Sequence, residues 1–351
     1  MTDRMSDGTS APLGILGAGS FGTALAIHVA RAGRPVRLWA RREDACAGMR
    51  AARENRVYLP GAPFPEAIEV THDFAPLAEC DPVILAPPSH GYREVLRDFL
   101  VRVRDAPGSR GRSVRLVSAT KGVESGTLAR MSRVTAEECA TAGVAHRYAV
   151  LSGPTFAAEL ARAVPSAAVV ASEDESLAAE LRQELASSTL RLYSTSDVVG
   201  VELAAASKNV VAIGAGVVAG LDLGHSTLAA LITRGLHEMT RLGVACGGDP
   251  ATFSGLAGLG DLVLTCTGAL SRNRRMGVEL AHGRSLAEIQ SGTTEIAEGV
   301  RNSLVVQRLA RDADIEMPIV DRMVAVLYEG QSPRRAVHEL MTRELKDEAK
   351  L

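Results

Sequence analysis

Residues 13–24 read Leu13-Gly14-Ile15-Leu16-Gly17-Ala18-Gly19-Ser20-Phe21-Gly22-Thr23-Ala24. A short apolar run enters Gly-x-Gly-x-x-Gly and leaves it as an alanine-rich helical pattern. Strand, tight turn and helix in that order form the seat of a dinucleotide pyrophosphate. Gly17 lets the chain turn sharply, Gly19 leaves room for close approach to the backbone, and Gly22 lets helix and strand pack closely. The phosphates would meet the free N–H groups at the helix start. Glycine-rich loops also arise from chain geometry alone, so the motif takes its meaning from the strand before it and the helix after it.

Downstream, apolar runs predict strands at 35–40, 67–71, 82–86, 113–118, 148–151, 167–171 and 190–194. Helical patterns fall at 20–32, 44–53 and 91–103, with Pro87-Pro88-Ser89-His90 as a stiff turn between the strand at 82–86 and the helix at 91–103. Strands alternating with helices give a parallel, doubly wound sheet. After about residue 196 the pattern changes to helix and loop only, beginning with long runs at 197–220 and 226–242. The predicted fold class is therefore α/β: a tail at 1–11, a Rossmann-like parallel-sheet domain at 12–196, and an all-helical domain at 197–345. The charge-rich stretch 173–184 reads as a solvated helix face.

With 351 residues, 46% of them hydrophobic, the chain can build two cores, but only 3% are aromatic, so packing relies on Ala, Val and Leu. A net charge of -2 gives no electrostatic case for nucleic acid. Five cysteines lack metal-ligand spacing, and no metal is expected. The first ten residues are polar and mixed in charge, unlike a leader, which favours a cytoplasmic protein. The most apolar stretch, 210–223, is rich in Gly and Ala and closed by Asp222, so it reads as a buried helix and no membrane insertion is expected.

Two polar clusters stand out in the helical half. Lys208-Asn209 interrupts a helix made otherwise of Ala, Val and Gly. A lysine there is costly unless it is paired or faces a cavity; the alternative is a surface lysine whose stem snorkels. Ser271-Arg272-Asn273-Arg274 puts hydroxyl, guanidinium and amide together at a helix start, a set suited to gripping a phosphate. An ordinary helix cap with surface arginines would look the same. A third cluster, Arg41-Arg42, follows the second strand, where NAD-specific folds carry an acidic residue for the ribose 2′-hydroxyl. Two arginines favour the extra 2′-phosphate of NADP, with dual use of NAD allowed, unless both face solvent.

Seven motifs in order resemble one family, the soluble NAD(P)-dependent glycerol-3-phosphate dehydrogenases of the bacterial type. They are Gly17-Ala18-Gly19-Ser20-Phe21-Gly22, Asn55-Arg56-Val57-Tyr58-Leu59-Pro60, Pro88-Ser89-His90, Ala119-Thr120-Lys121-Gly122-Val123-Glu124, Ser152-Gly153-Pro154-Thr155-Phe156-Ala157-Ala158-Glu159, Lys208-Asn209-Val210, and Gly258-Leu259-Gly260-Asp261-Leu262 with Thr265-Cys266-Thr267-Gly268 and Ser271-Arg272-Asn273-Arg274. The resemblance implies interconversion of sn-glycerol 3-phosphate and dihydroxyacetone phosphate, supplying glycerol phosphate for phospholipids, by a cytoplasmic homodimer acting on a small phosphorylated substrate. It implies Lys208 as the acid/base lysine, with Lys121 and Asp261 completing the reacting centre. Substrate would be held by Gly153, Thr155, Ser271, Arg272 and Asn273 as well as those three. Cofactor contacts would fall on Gly17, Gly19, Ser20, Phe21, Gly22, Arg41, Arg42, Tyr58, Lys121, Ala157, Arg272, Ile296 and Glu298. This chain departs from the family at Pro87, where valine is commoner, at Thr155, where serine is commoner, and in a longer loop at 105–112.

The chemistry asks for such residues. Reducing a ketone builds negative charge on its oxygen, which a lysine ammonium can stabilise and protonate. Running backward, neutral lysine must take the alcohol proton, and an ordinary lysine with pKa about 10.4 is too rarely neutral. Burial and a second cation at Lys121 would lower it, while Asp261 would orient it and pull the other way. Another hydride-transfer dehydrogenase of the same layout is the nearest rival. A dinucleotide sensor without catalysis would need the glycine loop but not Lys121, Lys208 and Asp261.

Overall fold

A computed structural model describes residues 11–108, 111–291, 297–345 and 347–348. Eight strands form one sheet: β1 (Leu13–Leu16), β2 (Val36–Trp39), β3 (Ile68–Thr71), β4 (Val83–Leu85), β5 (Val114–Ser118), β6 (His146–Ser152), β7 (Ser166–Ala171) and β8 (Leu190–Thr195). Their order is β3-β2-β1-β4-β5-β6-β7-β8. The strand order reverses between β1 and β4, and ligands of such sheets sit outside the carboxyl ends of the strands at this switch point.

Every residue of β1 and of β4 is buried, as expected of strands covered on both faces. Alternation divides them between two cores. Ile15, Leu38, Ile84 and Val117 face one side, and Leu16, Trp39, Leu85 and Leu116 the other. The helix α1 (Ser20–Arg31) fills the first core with Ala24, Leu25 and Ile27. After α2 (Glu43–Ala52), α3 (Ser89–Asp105) fills the second with Tyr92, Val95, Leu96 and Phe99. This last helix starts at Ser89, with Pro88 as its N-cap, so Ser89 and His90 lie in its first turn and not in the preceding one. Proline tolerates a helix start because its missing N–H would go unused there.

The parallel-sheet expectation needs one correction. β6 and β7 pair antiparallel, and β7 and β8 are parallel to each other. After α4 (Met131–Ala142), the only helix between β6 and β7 is α5 (Ala157–Ala161), of five residues. At about 1.5 Å per residue it is too short to carry the chain back along a strand rising about 3.3 Å per residue. The chain turns back instead, and the sheet is mixed. The charged stretch 173–184 does form a helix, α6 (Glu175–Leu185), capped by the Asp174 carboxylate accepting from Leu177 N at 3.1 Å, with Leu177, Leu181 and Leu185 buried.

Beyond β8 the described residues form helices only: α7 (Val198–Gly220), α8 (Gly224–Ala245), α9 (Pro250–Ser254), α10 (Asp261–Thr267), α11 (Arg272–Ala281), α12 (Leu286–Ser291), α13 (Glu298–Asp312), α14 (Pro318–Tyr328) and α15 (Pro333–Met341). By length and mean hydropathy of 1.5, α7 could cross a membrane, yet 89% of its apolar window is buried within the protein, and it is the axis around which the other helices pack. One carboxylate fixes this axis to the sheet. Glu202, 3% exposed, accepts from Ser132 N at 2.7 Å, Ser132 Oγ at 2.7 Å, Arg130 Nη1 at 2.9 Å and Tyr148 OH at 2.8 Å. A buried charge is tolerated when its lone pairs are filled in this way. Lys208 lies nearly two turns farther along α7.

Candidate active site

The glycine loop has the shape of a phosphate seat. Gly17 holds φ at 120°, in the region that favours glycine, and a Cβ there would lie 2.8 Å from the Ala86 backbone. A Cβ on Gly22 would come within 2.0 Å of the Gly17 carbonyl oxygen. Both positions are closed, whereas Gly19 faces open space, with nothing within 4 Å of a Cβ built on it. Gly19 is the N-cap of α1, and no side chain caps that helix. Its leading N–H groups are thus presented to an anion approaching over Gly19. Asn55 closes the far side: its Nδ2 donates to Ala18 O at 2.9 Å and Thr23 Oγ1 at 2.8 Å, and its Oδ1 accepts from Tyr58 N at 3.1 Å. These residues fit a dinucleotide.

Lys121 follows the carboxyl end of β5, and its segment is tied to the end of β4 by Thr120 Oγ1 donating to Pro87 O at 2.7 Å. The Lys121 ammonium donates to Asp261 Oδ2 at 2.7 Å and Gly153 O at 3.2 Å, and it stands 5.6 Å from the centre of the Phe21 ring. Asp261 is the first residue of α10, entered through a single wide π-turn over Leu256–Gly260. A carboxylate suits a helix's first turn electrostatically, and isolated π-turns concentrate at functional sites. Its other oxygen, Oδ1, lies 3.0 Å from Lys208 Nζ. One buried carboxylate therefore bridges two ammonium groups, one on each oxygen.

Lys208 is not a surface lysine: it is 4% exposed, and it also donates to Thr265 Oγ1 at 2.7 Å. Thr265 in turn donates to Asp261 O at 2.6 Å, as the (i, i+4) spacing on α10 allows. Burial pushes the Lys208 ammonium down to about 8; Asp261 opposes that shift and Lys121 adds to it. Both lysines face the same carboxylate, so the pair keeps an excess positive charge whenever both are protonated.

The remaining residues divide by what they touch. Ser271 is the N-cap of α11, its Oγ accepting from Arg274 N at 3.2 Å, and Arg272 stands exposed at the helix's first position. Asn273 is buried between helices: its Nδ2 donates to Asn209 Oδ1 at 2.9 Å, and its Oδ1 accepts from Gly299 N at 2.9 Å. Thr155 N donates to Gly153 O at 2.9 Å, and its hydroxyl lies 3.3 Å from the same oxygen. Ala157 opens α5. Glu298 opens α13; burial pushes its carboxyl up to about 7, opposed by the Arg272 charge, and its Oε2 is buried without a hydrogen-bond partner. Arg41 lies beyond the end of β2, its exposed guanidinium 2.6 Å from Glu94, and Arg42 is the N-cap of α2, 3.5 Å from Asp44. Ile296 lies outside the described residues.

Two family models cover this architecture: NAD-dependent glycerol-3-phosphate dehydrogenase N-terminus over residues 12–178, and the C-terminus of the same family over residues 197–338. The chain belongs to this family. It is 47% identical over 337 residues to the glycerol-3-phosphate dehydrogenase [NAD(P)+] of Geobacter metallireducens, covering 96% of this chain and 98% of that one. The Koribacter versatilis protein of the same name is 46% identical over 334 residues, covering 94% and 97%. Among solved structures, glycerol-3-phosphate dehydrogenase from Coxiella burnetii superposes with a TM-score of 0.88 at 39% identity, over 96% of this chain and 100% of that one.

Within the family frame, the structure brings Lys121, Gly153, Asp261 and Lys208 to one point, with Phe21 beside them. Arg41 and Arg42 pair elsewhere, with Glu94 and Asp44. Thr265 and Asn55 stand within the family-like motifs, but the sequence reading gives neither a role of its own. The signal for Thr265 was its (i, i+4) spacing from Asp261, and for Asn55 its place ahead of Tyr58 in a loop with no strand or helix to satisfy.

Proposed function

We propose that Lys208 is the proton donor and acceptor of this chain's reaction, with Asp261 orienting it and Lys121 sharing that carboxylate. The reaction is the NAD(P)-dependent interconversion of sn-glycerol 3-phosphate and dihydroxyacetone phosphate. The observation that carries the assignment is a buried lysine, held to a carboxylate shared with a second lysine. The nicotinamide, when bound, supplies or accepts the hydride.

The chain's own residues do the rest. The glycine loop and the start of α1 receive the pyrophosphate, and on the resemblance Ser20, Phe21, Tyr58, Ala157, Ile296 and Glu298 are further cofactor contacts. Lys121 and Lys208 converge on the ketone oxygen, and stabilise the charge that grows there. Lys208 gives up its proton in reduction and takes one in oxidation. On the other side of the substrate, Arg272 grips the phosphate, its planar fork suited to paired charge-assisted bonds. Ser271 and Asn273 fix the start of α11 beneath it, and Gly153 and Thr155 close the opposite wall. Phosphate binding thus converts into orientation of the ketone end.

The lowered proton affinity of Lys208 fixes the pH dependence. Oxidation of glycerol 3-phosphate needs the neutral amine, so its kcat/KM rises with pH and levels above about 8. Reduction needs the ammonium, so its kcat/KM is highest below about 8 and falls above it. Initial rates in both directions from pH 6 to 10 check this; limbs of the same sign in both directions would remove Lys208 from the role.

For cofactor choice, we propose a preference for NADP resting on Arg41 and Arg42, with NAD also used. The Arg41–Glu94 pair is exposed and thus worth little, so the guanidinium can exchange its partner for a 2′-phosphate. A charge-assisted bond contributes about 1.5–3 kcal/mol, so the double substitution of Arg41 and Arg42 by Ala should raise the KM for NADPH roughly 10- to 100-fold and leave that for NADH near its starting value. Rates of NADPH and NADH oxidation with dihydroxyacetone phosphate at matched low cofactor concentrations are the test. An equal change for both would return these arginines to the surface. On the resemblance, the working unit is a cytoplasmic homodimer of two-domain chains dividing at 196/197, and its product supplies glycerol phosphate for phospholipids.

A further inference from the structure

The first two turns of α13 touch both sources of the lysine cluster. Asn302 in the second turn is 1% exposed. Its Nδ2 donates to Lys121 O at 3.3 Å and to Ala206 O at 3.2 Å. An amide nitrogen carries two protons, and here each is spent on a different segment. One bond holds the backbone of Lys121; the other holds α7 half a turn before Lys208. On the opposite side of the amide lies Gly122, where a Cβ would come 3.2 Å from Asn302 Oδ1 and 2.8 Å from Ser89 Cβ and Oγ. The Lys121 segment is therefore pressed onto Asn302 with no space to spare. Among the described residues no other side chain bonds the backbone of both segments.

We propose that Asn302 is a positioning residue: by tying the backbones of Lys121 and Ala206 to one amide, it fixes how far apart the two ammonium groups stand on Asp261. The proposal rests on Lys121, Asp261 and Lys208 acting as assigned above. Their side chains alone leave the spacing loose, because each lysine is a four-carbon stem with many rotamers. A fixed backbone separation makes the bridged geometry the only one within reach.

Loosening the tie has a signature that lost stability alone does not give. The titratable groups that face Lys208 are Asp261 from α10, Lys121 from the loop after β5 and Glu298 from α13, with the Cys266 thiol of α10 held neutral because burial pushes it up to about 12. If Lys121 draws back, Lys208 loses the cation that disfavours its protonation and gains a larger share of Asp261. Both changes raise its proton affinity. Glycerol phosphate oxidation must then move to higher pH.

The experiment is kcat/KM for sn-glycerol 3-phosphate oxidation against pH, with thermal melts, on the full-length chain. For Asn302→Ala we expect kcat to fall roughly 10- to 100-fold, the order expected of misplaced reacting groups. The rising limb should move alkaline by on the order of half to one pH unit. Gly122→Ala pushes the Lys121 segment off the amide from the other side while Asn302 stays in place. It should show the same alkaline movement, and it decides the matter if Asn302→Ala does not fold. A folded variant with a lower Tm and an unmoved limb assigns Asn302 to stability only and overturns the proposal. Lys208→Ala run in parallel separates the two levels: wild-type turnover there would overturn the lysine assignment itself, whereas its loss beside an unmoved Asn302→Ala limb would overturn only the role of Asn302.

Discussion

Lys208→Ala is expected to bind its nucleotide normally and to lose about 10²–10⁴ in kcat, the usual contribution of a positioned general acid or base. Nothing nearby can substitute. Thr265 Oγ1 already donates to the Asp261 carbonyl oxygen, and Lys121 remains bonded to Asp261 Oδ2 and Gly153 O. Removing one ammonium leaves Asp261 still paired, so the fold should survive. Lys208→Met, which keeps the stem volume without the charge, should melt lower than the parent, with a loss smaller than the roughly 3–5 kcal/mol usual for a broken buried pair, because Lys121 stays on Asp261 Oδ2. Lys208→Arg separates two roles of the same residue. A guanidinium keeps the positive charge but stays protonated throughout the accessible pH range. Reduction and oxidation cross one transition state, so both directions should fall together, close to the level of the alanine variant, because a guanidinium neither gives up nor takes the proton. A Lys208→Arg protein that keeps most of its turnover in both directions would mean that the site needs only the positive charge at this position. The measurement is kcat in each direction with nucleotide affinity read separately by fluorescence.

How far the sequence carries depends on whether the deciding physics is local. β1, the glycine loop and α1 were legible because a short apolar run, the Gly-x-Gly-x-x-Gly glycines and an alanine-rich run each act within a few residues. Lys208 was legible as a conflict: a charge inside an apolar helix has to be paired, and the structure pairs it with Asp261. The sense of β7 was not legible, since its own residues are the same whether it runs parallel or antiparallel to β6; only the shortness of α5 decides. Nor could the sequence apportion Ser271, Arg272 and Asn273. Hydroxyl and amide side chains look alike whether they wait for a ligand or satisfy backbone, and here Ser271 caps Arg274 N while Asn273 joins Asn209 to Gly299 N. Asn302 was silent for the same reason, its two partners lying 181 and 96 positions away.

Gly277→Ala should carry the second large effect, through a crossing of helices and not through chemistry. α7 and α11 meet at Gly216 and Gly277. A Cβ on Gly277 would lie 1.9 Å from Ile213 O and 2.8 Å from Gly216 Cα, and one on Gly216 would lie 2.0 Å from Arg274 O. The atoms in the way are backbone, so no side chain can swing aside and the helices must separate. In an open helix the same exchange would stabilise by about 1 kcal/mol, as it should at Gly48 in α2, where a Cβ meets nothing within 4 Å. At Gly277 an overpacking cost at or above the usual 1–3 kcal/mol opposes that gain, leaving a net loss of about 2 kcal/mol. Activity should fall further than stability. α11 carries Arg272 at its start and binds α7 through Asn273 and Asn209, the residue next to Lys208. A shift of about 1 Å between the two helices separates the phosphate grip from the proton donor, and errors of that size cost about 10²-fold. The loss should appear in kcat/KM for dihydroxyacetone phosphate while nucleotide affinity holds, because the glycine loop and α1 lie on the sheet, away from this crossing. A Gly277→Ala protein that melts as high as Gly48→Ala, with unchanged kcat/KM, would mean that α11 is free to slide and that its glycine contact does not set the site.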